Sequence, residues 1–168
     1  VAPAPPVASG GADSDRLTGV LVHRLLQRLG VPERCDLAAI RDLAGRLVRA
    51  EEDEGGASDD AVERAASLFV ALASRDDVRR VYLSGRPYHE VPFTATVEGR
   101  PVRGVVDCLV YQEARVTILE FTTGRPRPEH QVQVEIYRRA IEALVPDRQV
   151  DVVMVYAQND GGLQDASG

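Results

Sequence analysis

Arg103-Gly104-Val105-Val106-Asp107 is an apolar run ended by an acid, and thirteen residues later a second acid, Glu120, sits inside Ile118-Leu119-Glu120-Phe121-Thr122. Acids inside strand-like apolar runs are informative, because a carboxylate buried in a strand is costly without a partner. Side chains alternate along a strand, so Glu120 and Thr122 share one face while Leu119 and Phe121 take the other. If the two strands are neighbours in one sheet, the carboxylates converge, and converging carboxylates repel unless a cation joins them. Hard oxygen ligands suit Mg²⁺ or Mn²⁺, which makes the pair a candidate metal site. A plainer reading stands beside it for Asp107, which as a strand end would accept turn hydrogen bonds. Glu120 is the stronger signal, since neither Lys nor Arg stands two residues away on its face.

Working outward, Arg115 to Phe121 has the β-branched, apolar texture of a buried strand. Glu90 to Val97 and Val102 to Val110 flank Glu98-Gly99-Arg100-Pro101 and read as a hairpin, with Arg80 to Ser84 as a further strand before it. Pro128 opens a helix to about Leu144, and Val150 to Tyr156 is a last apolar strand. Upstream, helical spacing runs from Arg16 to Leu29, where Gly30 stops it, and from about Leu37 to Ala50 behind an Asp36 cap. A solvated acidic loop follows, Glu51 to Gly56, and Ser58 or Asp59 caps a third helix to about Ala73. The fold class is therefore α/β: a central mixed β-sheet of about five strands flanked by helices, preceded by a small helical subdomain. Residues 1–15 read as a flexible linker, 16–157 as the domain (helical part 16–74, α/β core 78–157) and 158–168 as a disordered tail.

At 168 residues, 44% hydrophobic and 27% charged, the chain fits one globular domain, and no apolar run reaches the roughly 18–20 residues of a membrane span. The absence of an initiator Met reads as a domain excised from a longer polypeptide, with a soluble, cytoplasmic setting as the default. The net charge of −6 argues against holding nucleic acid by bulk positive charge, but its distribution is uneven. Between Arg75 and Arg148 there are 12 Arg against 11 acids, so a polyanion would meet the second half of the chain. All 20 basic residues are Arg. Two cysteines, Cys35 and Cys108, cannot supply the four thiolates of an iron–sulfur cluster and read as reduced, small core residues.

Five segments in order, Gly19-Val-Leu-Val-His23, Glu90-Val-Pro-Phe93, Gly104-Val-Val-Asp107, Leu119-Glu-Phe-Thr-Thr-Gly124 and Gln133-Val-Glu-Ile-Tyr137, resemble the RecB-type branch of the PD-(D/E)XK nucleases. In particular they resemble the nuclease domain at the C-terminal end of RecB- and AddA-type helicase–nucleases, the exonuclease V type. The resemblance implies a restriction-endonuclease-like core and Mg²⁺-dependent hydrolysis of DNA, with Mn²⁺ as a substitute ion. It makes His23, Asp107 and Glu120 metal ligands, with the Phe121 carbonyl as a fourth. Gln133 and Tyr137, one helical turn apart, would touch DNA or position the scissile phosphate. The implied substrate is single-stranded DNA delivered during recombination or repair by helicase motor domains of the same polypeptide or complex. A further implied partner is a second nuclease–helicase subunit, and no membrane is involved. Arg125 and Arg127, just after the second acid, are candidate phosphate clamps, and Glu90 is either a supporting group or an ordinary exposed strand position.

The chain departs from the family at one position. Where the family writes Lys, two residues after the second acid, this sequence has Thr122, and no Lys exists elsewhere to take its place. A hydroxyl donates a hydrogen bond but carries no charge, and losing such an electrostatic donor commonly costs about 10²–10³ in rate. Arg125, Arg103 or Arg138 could reach in as a substitute, although a guanidinium cannot act as a base. The alternative to an active enzyme is a catalytically degenerate nuclease-fold domain that guides DNA or docks a partner.

Overall fold

The computed structural model describes residues 10–53, 57–158 and 164–165. Its sheet begins with a hairpin of β1 (Arg86–Val97) and β2 (Arg100–Tyr111). The turn between them has Glu98 at φ 50° and Gly99 at φ 76°, the pair of left-handed conformations of a type I′ turn, and it sets the register at Val97 opposite Arg100. The third strand, β3 (Arg115–Thr122), runs antiparallel to β2. From its end the chain crosses over through the helix Pro128–Leu144 and returns as β4 (Gln149–Tyr156), parallel to β3. A two-residue strand, β5 (Gln164–Asp165), closes the order β1-β2-β3-β4-β5. The mixed sheet expected from the sequence is thus present, with four long strands and this short fifth.

Four helices precede the sheet: α1 (Gly10–Leu29), α2 (Leu37–Leu47), α3 (Ala57–Ala73) and α4 (Asp76–Tyr82); the crossover helix is α5. Two apolar cores form on the two faces of the sheet. On one, Leu21, Leu25, Phe69, Leu72 and Val78 of the helical layer pack against Cys108, Val110, Leu119 and Phe121. On the other, Val134, Ala140 and Ile141 of α5 pack against Val116, Ile118, Val152 and Met154. β3 lies between them and is buried from Val116 to Phe121, which explains its nearly continuous apolar texture. Both cysteines are free, with Cys108 in the core and Cys35 half-buried. Among the described residues, no helix is long and apolar enough to cross a membrane.

Several boundaries differ from those read in the sequence. The run Arg80 to Ser84 is not a strand; most of it is the end of α4, in whose first turn Asp77 accepts from the Val78 amide and pairs with Arg75. Arg79 then fastens that helix to the Pro32 and Glu33 carbonyls. β-branched Val78 and Val81 bias such a segment toward a strand reading, but seven residues suffice for a helix once the tertiary contacts are made. β1 accordingly starts at Arg86 and not at Glu90. α1 begins at Gly10, inside the stretch read as linker, and Ser14 is buried there with its hydroxyl donating to Asp60 of α3. α2 stops at Leu47, because Val48 turns extended, and Ala50–Glu52 is a 3₁₀ turn. The expected tail contains β5; residues 1–9, 54–56, 159–163 and 166–168, with the remaining linker, acidic-loop and tail readings, lie outside the described residues.

One polar tie holds the helical layer to itself. Arg24 of α1 makes two 2.7 Å bonds to the Glu52 carboxylate and a 2.8 Å bond to the Leu47 carbonyl, and Glu52 also accepts from the Arg49 amide. Arg24 accordingly holds the Glu52 carboxyl at about 2, well below its usual 4.5. A carboxyl depressed on folding stabilises above its unfolded value and loses that contribution as pH falls from about 4.5 toward 2. Glu52→Gln is expected to lower Tm by about 2–4 °C at pH 7, a loss of the order of 1 kcal/mol, with the difference from wild type vanishing near pH 2 in thermal melts.

A second constraint lies under α5. A Cβ on Gly104 would sit 2.7 Å from the Phe93 ring and 3.2 Å from the Tyr137 hydroxyl, and those two rings meet edge to face at 5.2 Å. Gly104→Ala is expected to destabilise the domain by about 1–3 kcal/mol in urea unfolding, because Phe93 or Tyr137 must move.

Candidate metal centre

The β2–β3 backbone ladder reaches Cys108 opposite Leu119 and stops there. Beyond it, side chains take over: the Asp107 amide donates to Glu120 Oε1 at 3.2 Å, and the Phe121 amide donates to Asp107 Oδ2 at 2.9 Å. Carrying the register one step on puts Asp107 opposite Glu120, and the β1–β2 register puts Glu90 opposite Asp107. Three carboxylates therefore form a row across three adjacent strands.

The row sits where the sheet changes face. Val91, Phe93 and Ala95 of β1 and Val106 of β2 pack toward α5. Cys108, two residues past Val106, packs instead into the helical layer, and its partner His89 meets Tyr82 of that layer. Strict alternation would keep residues two apart on one face, so the phase slips at Glu90 and Asp107. Glu90 absorbs the slip with φ at 50°, a left-handed conformation that costs a non-glycine residue of order 1–3 kcal/mol.

α1 supplies the fourth group. His23 Nδ1 lies 3.2 Å from Asp107 Oδ1. One turn earlier, Gly19 comes so close to the end of β3 that a Cβ there would stand 3.3 Å from Thr123 Oγ1. Ligand atoms of His23, Glu90 and Asp107 all lie within 4.8 Å of one another. They line a cleft of about 530 Å³ between α1, with Arg16 and Gln27, and the sheet, with Thr123. On the α5 side, the Gln133 amide donates to Glu120 Oε2 at 3.3 Å.

Charge is badly balanced at this point. Glu120 is 4% exposed; burial first, then the Asp107 and Glu90 charges, push its carboxyl up to about 9, and the Asp107 amide only partly opposes this. Burial and Asp107 likewise raise Glu90. For His23, burial favours the neutral ring, but the bond to Asp107, the Asp107 and Glu90 charges and the Phe121 carbonyl together outweigh it and raise its pKa. Carboxylate oxygens, one imidazole and a nearby backbone carbonyl are a donor set that could hold a divalent cation.

Of the residues singled out in the sequence, the fold thus gathers His23, Asp107, Glu120, Gln133 and the Phe121 backbone. Glu90, which the sequence left undecided, joins them. Its signal was available: a two-residue turn at Glu98-Gly99 places residue 90 opposite 107 by counting alone. Tyr137 lies nearby, its hydroxyl raised by burial and then by the Glu120 charge. The Thr122 hydroxyl accepts from the Gly124 amide at 3.1 Å and shapes the turn after β3. Arg138 is held by Glu135 and Glu142 and does not reach in. Arg125 and Arg127 are exposed in the β3–α5 loop, with no ion pair among the described residues.

A model of the PD-(D/E)XK nuclease superfamily matches residues 5–166 of the chain. An ATP-dependent helicase/nuclease protein of Anoxybacillus flavithermus is 28% identical over 162 residues, 86% of this chain and 13% of that protein. Its namesake in Pelotomaculum thermopropionicum is 28% identical over 153 residues, 76% of this chain and 12% of that protein. The chain thus spans about an eighth of the length of these relatives. A crystal structure of protein VC1899 from Vibrio cholerae aligns with 88% of this chain and 48% of its own at 14% identity and a TM-score of 0.40, and the assignment does not rest on it. With all but its outermost residues inside the family match, the chain belongs to the PD-(D/E)XK nuclease superfamily.

Proposed function

We infer that this domain hydrolyses phosphodiester bonds of single-stranded DNA with Mg²⁺, or Mn²⁺ in its place, as the nuclease part of a longer helicase–nuclease acting in cytoplasmic DNA recombination and repair. The observation that carries the reading is the row Glu90–Asp107–Glu120 with His23 beside it, three carboxylates none of which, among the described residues, pairs with an Arg side chain. A divalent ion held there would neutralise the phosphate, lower the pKa of an attacking water and stabilise the leaving oxygen.

The chain's own groups do the positioning. His23, Glu90 and Asp107 converge from α1, β1 and β2, and Glu120 and the Phe121 carbonyl complete the set from β3. A cation there would compete with protons on Glu120 and His23, whose pKa values are both raised, so affinity rises with pH. Gln133 fixes the orientation of Glu120, and Tyr137 stands one turn further along α5 to meet the scissile phosphate. Arg125 and Arg127 reach flanking phosphates from the loop. The relatives carry helicase/nuclease names, which supports a motor in the same polypeptide that hands over unwound DNA, and partnership with a second nuclease–helicase subunit. Delivery by a motor also removes the need for a strongly basic surface, consistent with the net charge of −6.

One observation favours a second reading, a degenerate domain that guides DNA or docks a partner: the Thr122 hydroxyl is engaged by the Gly124 amide, and the chain has no Lys.

Mn²⁺ at saturating concentration is expected to raise Tm by at least about 3 °C, and Asp107→Ala to abolish that shift; an equal shift in both proteins would remove the metal site. On 5′- and 3′-labelled single-stranded DNA, metal-dependent cutting lost in Asp107→Ala supports the enzyme reading. Thr122→Lys is expected to raise the Mn²⁺-dependent rate about ten-fold or more, in line with restoring one electrostatic donor. Equal rates with and without that change would sink the idea that Thr122 limits catalysis.

A further inference from the structure

The phase slip at Glu90 and Asp107 leaves part of the hairpin uncovered. Beyond it toward the turn, Val91, Phe93, Ala95 and Val102 face the α5 core, so the alternate residues Pro92, Thr94, Arg103 and Val105 face the other way, where none of the described helices covers them. All four are exposed, Val105 at 44%. The register orders them in pairs leading away from the carboxylates: Pro92 opposite Val105 first, then Thr94 opposite Arg103. Each step is about 7 Å along the strands. An apolar step therefore adjoins the site, followed by a step with a guanidinium and a hydroxyl. Neither strand carries an acid between residues 91 and 97 or between 100 and 106, and among the described residues Arg103 makes no ion pair.

We propose that this open face is a ramp for the substrate strand: the nucleotide beside the scissile phosphate rests on Val105 and Pro92, and a flanking phosphate is held by Arg103 with Thr94. The occupant is single-stranded nucleic acid, and the inference rests on the nuclease reading above. Charge complementarity and direct continuity with the carboxylate row both point to it, since a strand whose phosphate sits at Asp107 meets this ribbon at the next step along the hairpin. Arg103 binds and positions here and has no part in the chemistry.

Arg100 makes the control. It lies opposite Val97, which packs toward α5, so it is on the other face of the same hairpin and carries the same charge. Binding of a labelled oligothymidylate in the absence of divalent ions, across a salt series, is compared for wild type, Arg103→Ala, Arg103→Lys and Arg100→Ala. Arg103→Ala is expected to weaken binding about five-fold or more and to lower the slope of log K against log salt by about 0.7, the value for one phosphate contact on a single strand. Arg103→Lys should keep the slope, and Arg100→Ala should stay within about two-fold of wild type, since a face turned away from the strand holds no phosphate. Equal losses in Arg103→Ala and Arg100→Ala, or none in either, overturn the ramp, and if wild type still cuts in Mn²⁺ the nuclease reading survives that result. A wild type that neither binds nor cuts overturns both together.

Discussion

The structure is organised around a carboxylate that it cannot neutralise by itself. Glu120 is almost wholly buried between two helical layers, faces Asp107 and Glu90, and among the described residues receives only neutral donors, the Asp107 amide and the Gln133 side chain. Burying an unpaired carboxylate costs several kcal/mol, and a proton taken up at ordinary pH is the response when no cation is present. The same carboxylates also satisfy the backbone. β2 and β3 separate after Cys108 and Leu119, which would orphan the amides of Asp107 and Phe121, and each amide is taken by the acid of the opposite strand. Strand divergence and acid placement are therefore one feature. Replacing either acid leaves a buried N–H without an acceptor as well as removing a ligand.

The neighbouring elements follow from this. A divergent strand pair needs cover on both sides, and α1 and α5 provide it while carrying His23 and Gln133 inward. α1 packs tightly at Gly19, where a Cβ would press on Thr123, and the hairpin holds the Phe93 ring over residue 104 because that residue has no side chain. Glu90, forced to positive φ, lets β1 and β2 exchange faces at the carboxylate row. One half of the hairpin thus belongs to a three-layer arrangement and the other half to a two-layer one, which is why an exposed β-surface begins at the edge of the site.

Much of this was legible in the sequence, where local chemistry and tertiary environment agree. Asp107 and Glu120 stand out because acids interrupt apolar strands, Glu98-Gly99 dictates the hairpin, and Pro128 marks the start of α5. What was not legible depends on contacts made far away in sequence. α4 carries strand-forming residues and is held helical by Asp77 in its first turn, which pairs with Arg75 and takes the Val78 amide, and by Arg79 reaching the Pro32 and Glu33 carbonyls. The first turns of α1 have a linker's composition and are fixed by Ser14 on Asp60. Glu90 has no propensity for a left-handed backbone; it takes that conformation because the two flanking strand halves face different cores, and one strand's sequence does not reveal that.

Thr122 decides which kind of charge balance the site uses. A lysine there would stand on the face of Glu120, two residues along the same strand, and its ammonium would offset part of the negative excess permanently. With a hydroxyl turned to the Gly124 amide, that offset is absent, and under the proposed reading a bound cation would supply it. A chain with no use for a cation would gain stability from an amide or an apolar side chain at residue 120, since replacing buried charge by well-packed neutral groups is commonly neutral or stabilising. Glu120, kept buried among acids with no fixed positive partner, is thus an argument for ion binding that holds for the active and the degenerate reading alike. The two readings would differ in whether a water at such an ion could be oriented without an ammonium beside it, and that difference lies in a single side chain.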